Sequence, residues 1–252
     1  MSKNIELLLH KKYEEYNVQR FIADDPISVP HRFLQNQDIE IAAFFATIFA
    51  WGNRKTIINK CNELMMLMDN KPYDFILHHS EKELNKFVHF KHRTFNADDI
   101  FYFIYFLHHH YKKSSSLEDA FCIDEKNMES RLIAFHNYFF SLEHLSRTRK
   151  HISTPQKNAA CKRINLFLKW MVRKDESNVD FGIWKKIASS ELIIPLDVHV
   201  ARVSKKLNLL EDEKSNWKNA VLLTQKLKQL DENDPVKFDF ALFGMGVYEN
   251  KI

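Results

Sequence analysis

Residues 161–172 read CKRINLFLKWMV. Ile164, Phe167, Leu168 and Met171 recur three or four positions apart, the spacing that gathers side chains on one face of an α-helix. A polar connector, STPQKNAA (153–160), leads into this helix, and Arg173 and Lys174 follow it. The same pattern dominates the rest of the chain. Only four glycines and six prolines occur in 252 residues, so helices joined by short polar loops are expected, an all-α fold. The 45% hydrophobic content and 30.1 kDa mass provide core for one large or two small domains.

Outward from residue 161, the periodicity predicts helices over Ile5–Tyr16, from Asp38 to about Trp51, over Lys55–Met68, Ala97–Tyr111 and Met128–Phe140, and shorter ones between. Asp38 and Asn53 stand where N-caps belong. Trp184 is read on a short helix, IIPL (193–196) as a loop, and Val200, Val203, Leu207 and Leu210 as the face of a helix that starts after Asp197. Final helices are expected over Lys214–Lys228 and from Val236 to about Phe243; no stretch reads as a sheet.

The bulk features exclude several classes. MSKNIELLLHKKYEEY (1–16) is amphipathic and charged where a secretory signal needs an apolar run, so a cytoplasmic protein is expected. The longest apolar stretch, IAAFFATIFAW (41–51), is far shorter than the roughly 20 residues that cross a bilayer, and no membrane association is expected. Cys61, Cys122 and Cys161 are too few and too scattered for a disulfide framework or an iron–sulfur cluster. HH (78–79) and HHH (108–110) lack a carboxylate or cysteine at metal-ligand spacing, so neither a metal nor another cofactor is assigned.

Charge is unevenly distributed. Arg147 to Lys174 holds nine Lys or Arg and no Asp or Glu; removing that +9 from the net +4 leaves −5 for everything else. The segment is either a polyanion site or a solvated basic helix face. Within it Lys162 opens the helix quoted above. An amine among other cations loses its proton more readily, and the neutral amine can form a Schiff base with a carbonyl carbon. Asp197, in LIIPLDVHVARVSK (192–205), follows Pro195 by two residues and is placed to cap the helix that begins at Val198. Trp51, in WGNRK (51–55), stands at the loop after the buried helix beside Gly52, Asn53 and Arg54, and is the tryptophan best placed to wedge into a duplex.

Together the basic connector, Lys162 and PLDVHVARVSKKLNLL (195–210) resemble the helix-hairpin-helix DNA glycosylase superfamily (HhH-GPD), typified by endonuclease III. KRINLFLKWMV is similar to that family's second hairpin helix, which implies Lys162 as the lysine that attacks the sugar. PLDVHVARVSKKLNLL resembles its VDTHVxRVxxRLGL signature, which implies Asp197 as the catalytic aspartate and places the accompanying histidine and arginine on His199 and Arg202. ALFGMGVY (241–248) resembles the closing helix. An uncharacterised family of bacterial proteins shares the CKRxNxFLxWMVR and PLDxHxxR pattern more closely and is grouped with this superfamily. Two departures bear on the site. The family's glycine-rich hairpin is missing, with Asn158 as the residue able to take a left-handed conformation there. Lys162 and Asp197 are also 35 positions apart, closer to the archaeal 8-oxoguanine glycosylase branch, and Lys169 is the fallback nucleophile two helical turns on.

The resemblance implies a two-lobed helical fold, with 1–35 plus 191–252 in one lobe, 36–190 in the other, and a degenerate hairpin near 145–174. It implies a monomeric base-excision DNA glycosylase, with AP-lyase activity as an extension, acting on double-stranded DNA with no cofactor and an oxidised purine as the suggested target. Lys157, Asn158, Arg163, His199, Arg202, Trp51, Asn53 and Arg54 are then the candidate DNA contacts. The competing readings are a DNA-binding or damage-sensing protein without turnover, and a helical protein-interaction domain.

Overall fold

The computed structural model describes residues 2–249. Among them nine α-helices run nine residues or longer: α1 Lys3–Tyr16, α2 Asn36–Phe49, α3 Arg54–Leu67, α4 Ala97–Tyr111, α5 Met128–Phe139, α6 Lys162–Val172, α7 Val198–Lys206, α8 Trp217–Lys228 and α9 Asp239–Tyr248. Extended pairing among the described residues is limited to two isolated bridges, His92 with Phe95 and Ala159 with Asn216, so the fold is all-helical. No helix of the described residues is long and apolar enough to cross a membrane.

The described residues divide into two compact units. The first is drawn from Met1–Ile22, Asn127–Glu129 and Ser153–Ile252, the second from Ala23–Lys126 and Ser130–Ile152. The sequence reading drew the boundaries at 35/36 and 190/191. The compact units divide near 22/23 and 152/153, which groups α6 with both ends of the chain and splits the expected hairpin segment 145–174 between them.

In the second unit α2 is buried on every side from Ile39 to Phe49. Its Phe44 meets Phe103, Phe135 and Phe139, and Phe106 closes the cluster with its ring centroid 4.4 Å from that of Phe139. A carboxylate within such a helix must be satisfied internally. Glu40 is: it accepts hydrogen bonds from Tyr111 Oη at 2.7 Å, Ser116 Oγ at 2.6 Å and the Leu117 amide at 2.9 Å. Asp38 does not cap its own helix, whose N-cap is Gln35. It instead accepts from the Tyr73 amide at 2.8 Å, capping the helix Pro72–His78 that lies across from it. Asn53 caps α3 through the Thr56 amide at 3.1 Å. The histidines serve local structure: His108 Nδ1 lies 2.7 Å from the Ile76 carbonyl oxygen and His110 Nε2 lies 2.8 Å from that of Ser116.

In the first unit α9 is the central element, with α1 and α7 packed against it. Two glycines permit this. A Cβ on Gly244 would lie 2.2 Å from the Tyr16 ring of α1, and one on Gly246 would lie 2.9 Å from His199 Cβ of α7. The face of α6 that carries Ile164, Phe167, Leu168 and Met171 is buried. Trp184 belongs to no helix. Its amide donates to the Met171 carbonyl at 2.9 Å and its ring meets Phe167 edge-on, so the segment terminates α6 by capping its last carbonyls. Replacing a helical glycine by alanine ordinarily stabilises by about 1 kcal/mol. Gly246→Ala should do the reverse here, lowering stability by about 1–3 kcal/mol in urea titration because α7 must move away from α9; a gain would show that the two helices are not in contact at this point.

Candidate functional site

The turn that launches α6 is built without glycine. Pro155–Lys157 form a 3₁₀ turn capped by Thr154, after which Asn158 (φ 53°) and Cys161 (φ 51°) both take the left-handed conformation. Asparagine tolerates this region, whereas for cysteine it is uncommon and must be held by its surroundings. Two contacts do so. Asn158 is bonded to the start of α8, its carbonyl accepting from the Trp217 amide at 3.1 Å and its Oδ1 from the Lys218 amide at 3.3 Å. Cys161 is buried, with Sγ 3.3 Å from the Ala159 carbonyl oxygen, and burial pushes its thiol up to about 11, so it stays protonated at neutral pH. The left-handed state expected of Asn158 is therefore present, and Cys161 adds a second one that the sequence did not signal.

Asp197 caps α7 as its position predicts. One oxygen, Oδ1, accepts from both the His199 and Val200 amides at 2.9 Å. The other, Oδ2, lies 3.8 Å from Lys162 Nζ. The two groups named from sequence, 35 residues apart, thus face each other within one unit, with side chains 26% and 16% exposed and so open to solvent on one side.

Behind this pair lies a buried charge cluster. Lys169 Nζ is 3.3 Å from Asp180, 3.6 Å from Asp239 and 3.6 Å from the centroid of the Phe240 ring. Just past the end of α6, the guanidinium of its C-cap residue Arg173 contacts Asp180 at 2.9 Å, Asp175 at 2.6 Å, Asp234 at 2.8 Å and Tyr13 Oη at 2.7 Å. Burial alone would push the Asp175 carboxyl up, but Arg173 beside it holds it below the usual carboxylate range. Asp239 goes the other way. Burial raises it to about 6, Lys169 opposes the rise, and the charge of Asp197 adds to it.

Lys169, the fallback nucleophile, is accordingly buried between two carboxylates, whereas Lys162 is partly open to solvent. The sequence impression of one continuous basic strip also changes, since Lys169 and Arg173 are neutralised inside the unit. Lys157 is exposed at the turn; Arg163 is half-buried, and burial lowers its guanidinium to about 10, still cationic at neutral pH. Arg202 donates to the Gly246 carbonyl at 2.7 Å and so ties α7 to α9. His199 packs on Gly246 and Phe243, and its Nδ1 is buried with no hydrogen-bond partner among the described residues. Trp51, Asn53 and Arg54 lie in the second unit: the Arg93 guanidinium sits 4.6 Å over the Trp51 ring, Asn53 is the α3 cap, and Arg54 is half-buried in the first turn of α3. Asp180 and Asp239 were not singled out from sequence. The available signal was that a helix burying Lys169 and Arg173 needs acids elsewhere to offset them.

Residues 25–248 match the family described as protein of unknown function (DUF2400). The chain belongs to the DUF2400 family. No curated protein and no solved structure matches it. The DUF2400 span includes α6, α7 and α9 entire, and with them Lys162, Asp197, Lys169 and Asp239; it omits α1, which supplies Tyr13 to Arg173.

In this DUF2400 chain an amine and a capped carboxylate share an accessible position, with a second, desolvated carboxyl close enough to feel both charges. Such a set can form a carbon–nitrogen bond and manage the protons involved. It also has a stability signature. Asp239 titrates near 6 in the folded state against 3.8 ordinarily, so its contribution is complete below about pH 4 and is lost as pH rises through about 6. Between pH 4 and 7 Asp239→Asn should therefore gain on the wild type, by up to about 3 kcal/mol, in urea titrations at stepped pH. Parallel pH curves for the two proteins would exclude a raised Asp239.

Proposed function

We propose that this chain is a base-excision DNA glycosylase with AP-lyase chemistry, acting through Lys162 and Asp197. The observation that carries the reading is the 3.8 Å approach of the Lys162 amine to the free oxygen of the Asp197 cap. In this reading the neutral amine attacks C1′ of a damaged nucleotide, and the bond to the base breaks with its electron pair leaving on the base. Positive charge that develops at C1′ faces Asp197, whose Oδ1 is already occupied by two helix amides so that Oδ2 is presented in one orientation. Ring opening gives an imine, and elimination of the 3′ phosphate then cleaves the strand. Double-stranded DNA is the partner, an oxidised purine the suggested lesion, and Lys157, Asn158 and Arg163, in and just after the turn that launches α6, the candidate phosphate contacts.

A second reading, a DNA-binding protein of the same scaffold without turnover, is favoured by one observation: the turn has Asn158 and Cys161 where glycines would let backbone approach phosphate most closely.

Borohydride trapping on duplexes carrying an abasic site or 8-oxoguanine separates the two. The wild type should form a covalent adduct that Lys162→Ala abolishes and that Asp197→Asn slows by about 10²–10³-fold. Duplex binding without any adduct would support the second reading. Binding should also weaken steeply with salt, and Lys157→Ala should reduce the log–log salt slope by about one; an unchanged slope would remove Lys157 from the interface.

A further inference from the structure

Two runs of histidine stand apart from the candidate site, HH (78–79) and HHH (108–110), and both lie in the second unit. Most of their nitrogens are engaged. His78 Nδ1 pairs with Asp74 at 2.9 Å, His109 Nε2 lies 3.0 Å from Lys113 Nζ, and buried His110 meets Tyr138 Oη with one nitrogen and the Ser116 carbonyl with the other. His79 and His108 differ. His79, the C-cap of the helix Pro72–His78, donates from Nδ1 to the Phe75 carbonyl at 2.9 Å, and His108, on α4, donates from Nδ1 to the Ile76 carbonyl at 2.7 Å. A carbonyl oxygen can only accept, so Nδ1 carries the proton in both rings and the neutral imidazole keeps its lone pair on Nε2. Neither Nε2 has a hydrogen-bond partner among the described residues, and both residues are half-buried. The two rings lie 5.6 Å apart between centroids, at 73° to each other.

We propose that His79 and His108 form a two-histidine site for a late first-row transition-metal ion, of the zinc, nickel or copper class, bound through both Nε2 atoms. Imidazole is a ligand these ions favour. An Nδ1–H tied to a backbone carbonyl is the usual outer support of a histidine that ligates through Nε2, because it fixes the tautomer and the direction of the ring. Two imidazoles that hold one ion at about 2.0–2.1 Å place their ring centres about 5–6 Å apart, and the observed 5.6 Å falls in that range. The accepting carbonyls belong to consecutive residues in the last turn of one helix, so both rings are held against the same short stretch of backbone. No group of three or more metal-capable side chains gathers among the described residues, so the protein supplies two ligands and water fills the other positions. The ion would join the helix Pro72–His78 to α4 as an exchangeable link within the second unit. This site is independent of the roles given to Lys162 and Asp197, which lie in the first unit.

The test takes the full chain, stripped of metal with a chelator, and titrates it with Zn(II), with Cu(II) added in a second series for spectroscopy. The wild type should bind zinc at this site, and its urea midpoint should rise with zinc concentration, since an ion held only by the folded state stabilises that state. His79→Asn and His108→Asn each keep a side-chain donor for the carbonyl and remove the outer nitrogen. Each should weaken zinc binding by at least about tenfold and abolish the zinc-dependent rise of the midpoint, whereas His78→Gln and His109→Gln should leave both unchanged. Wild-type zinc affinity in either asparagine variant overturns the inference, and so does an equal loss in all four variants. Failure of the wild type to bind either ion at millimolar concentration overturns it as well. Where an asparagine variant does not fold, the wild-type Cu(II) electron paramagnetic resonance spectrum decides: two imidazole nitrogens on the ion support the site, and fewer than two overturn it.

Discussion

Two cations at the C-terminal end of α6, Lys169 in its last turn and Arg173 at its C-cap, are withdrawn from water, and much of the first unit is arranged to offset them. An unpaired buried charge costs several kcal/mol, so acids must be delivered from wherever the chain can supply them. They come from the loop after α6 (Asp175, Asp180), from the approach to α9 (Asp234) and from its first turn (Asp239), while α1 contributes the Tyr13 hydroxyl. Neutralising one helix thereby ties the start of the chain, the segment after α6 and the closing helix into one unit. Asp180 is the shared point, since it contacts both cations.

The candidate site is the solvent-facing end of the same helix. Lys162 stands at the first position of α6, two turns before Lys169, so the packing that buries Lys169 also determines where Lys162 emerges. The left-handed turn at Asn158 and Cys161 sets the direction from which the chain enters α6, and the bonds from Asn158 to the first turn of α8 hold that entry in place. Asp197 is placed independently, by capping α7, and α7 is seated on α9 through Gly246. Lys162 and Asp197 meet because two separate packing problems have compatible solutions.

Asp239 links the two levels. It takes part in neutralising Lys169, and the charges of Lys162 and Asp197 act on it as well. Burial raises the Asp239 carboxyl, and Lys169, shared with Asp180, opposes the rise only in part.

Local features were legible in the sequence because they depend on neighbours along the chain. The apolar stripe of α6 follows from its periodicity, the Asp197 cap from its place after Pro195, and the left-handed Asn158 from a glycine-free turn that needs one residue able to adopt it. What depends on distant segments was not. Asp38 looked like the cap of its own helix and caps another; Trp184 looked helical and instead terminates α6; the basic strip looked exposed and is partly neutralised inside; the unit boundary lies at 152/153 because α6 packs with both ends of the chain. By itself the sequence determined the long helices and which carboxylate caps α7. Only the tertiary structure decided which acids pair with Lys169 and Arg173, and that Lys162 faces Asp197, since charge pairing is set by distance in space and periodicity along a helix carries no information about that distance.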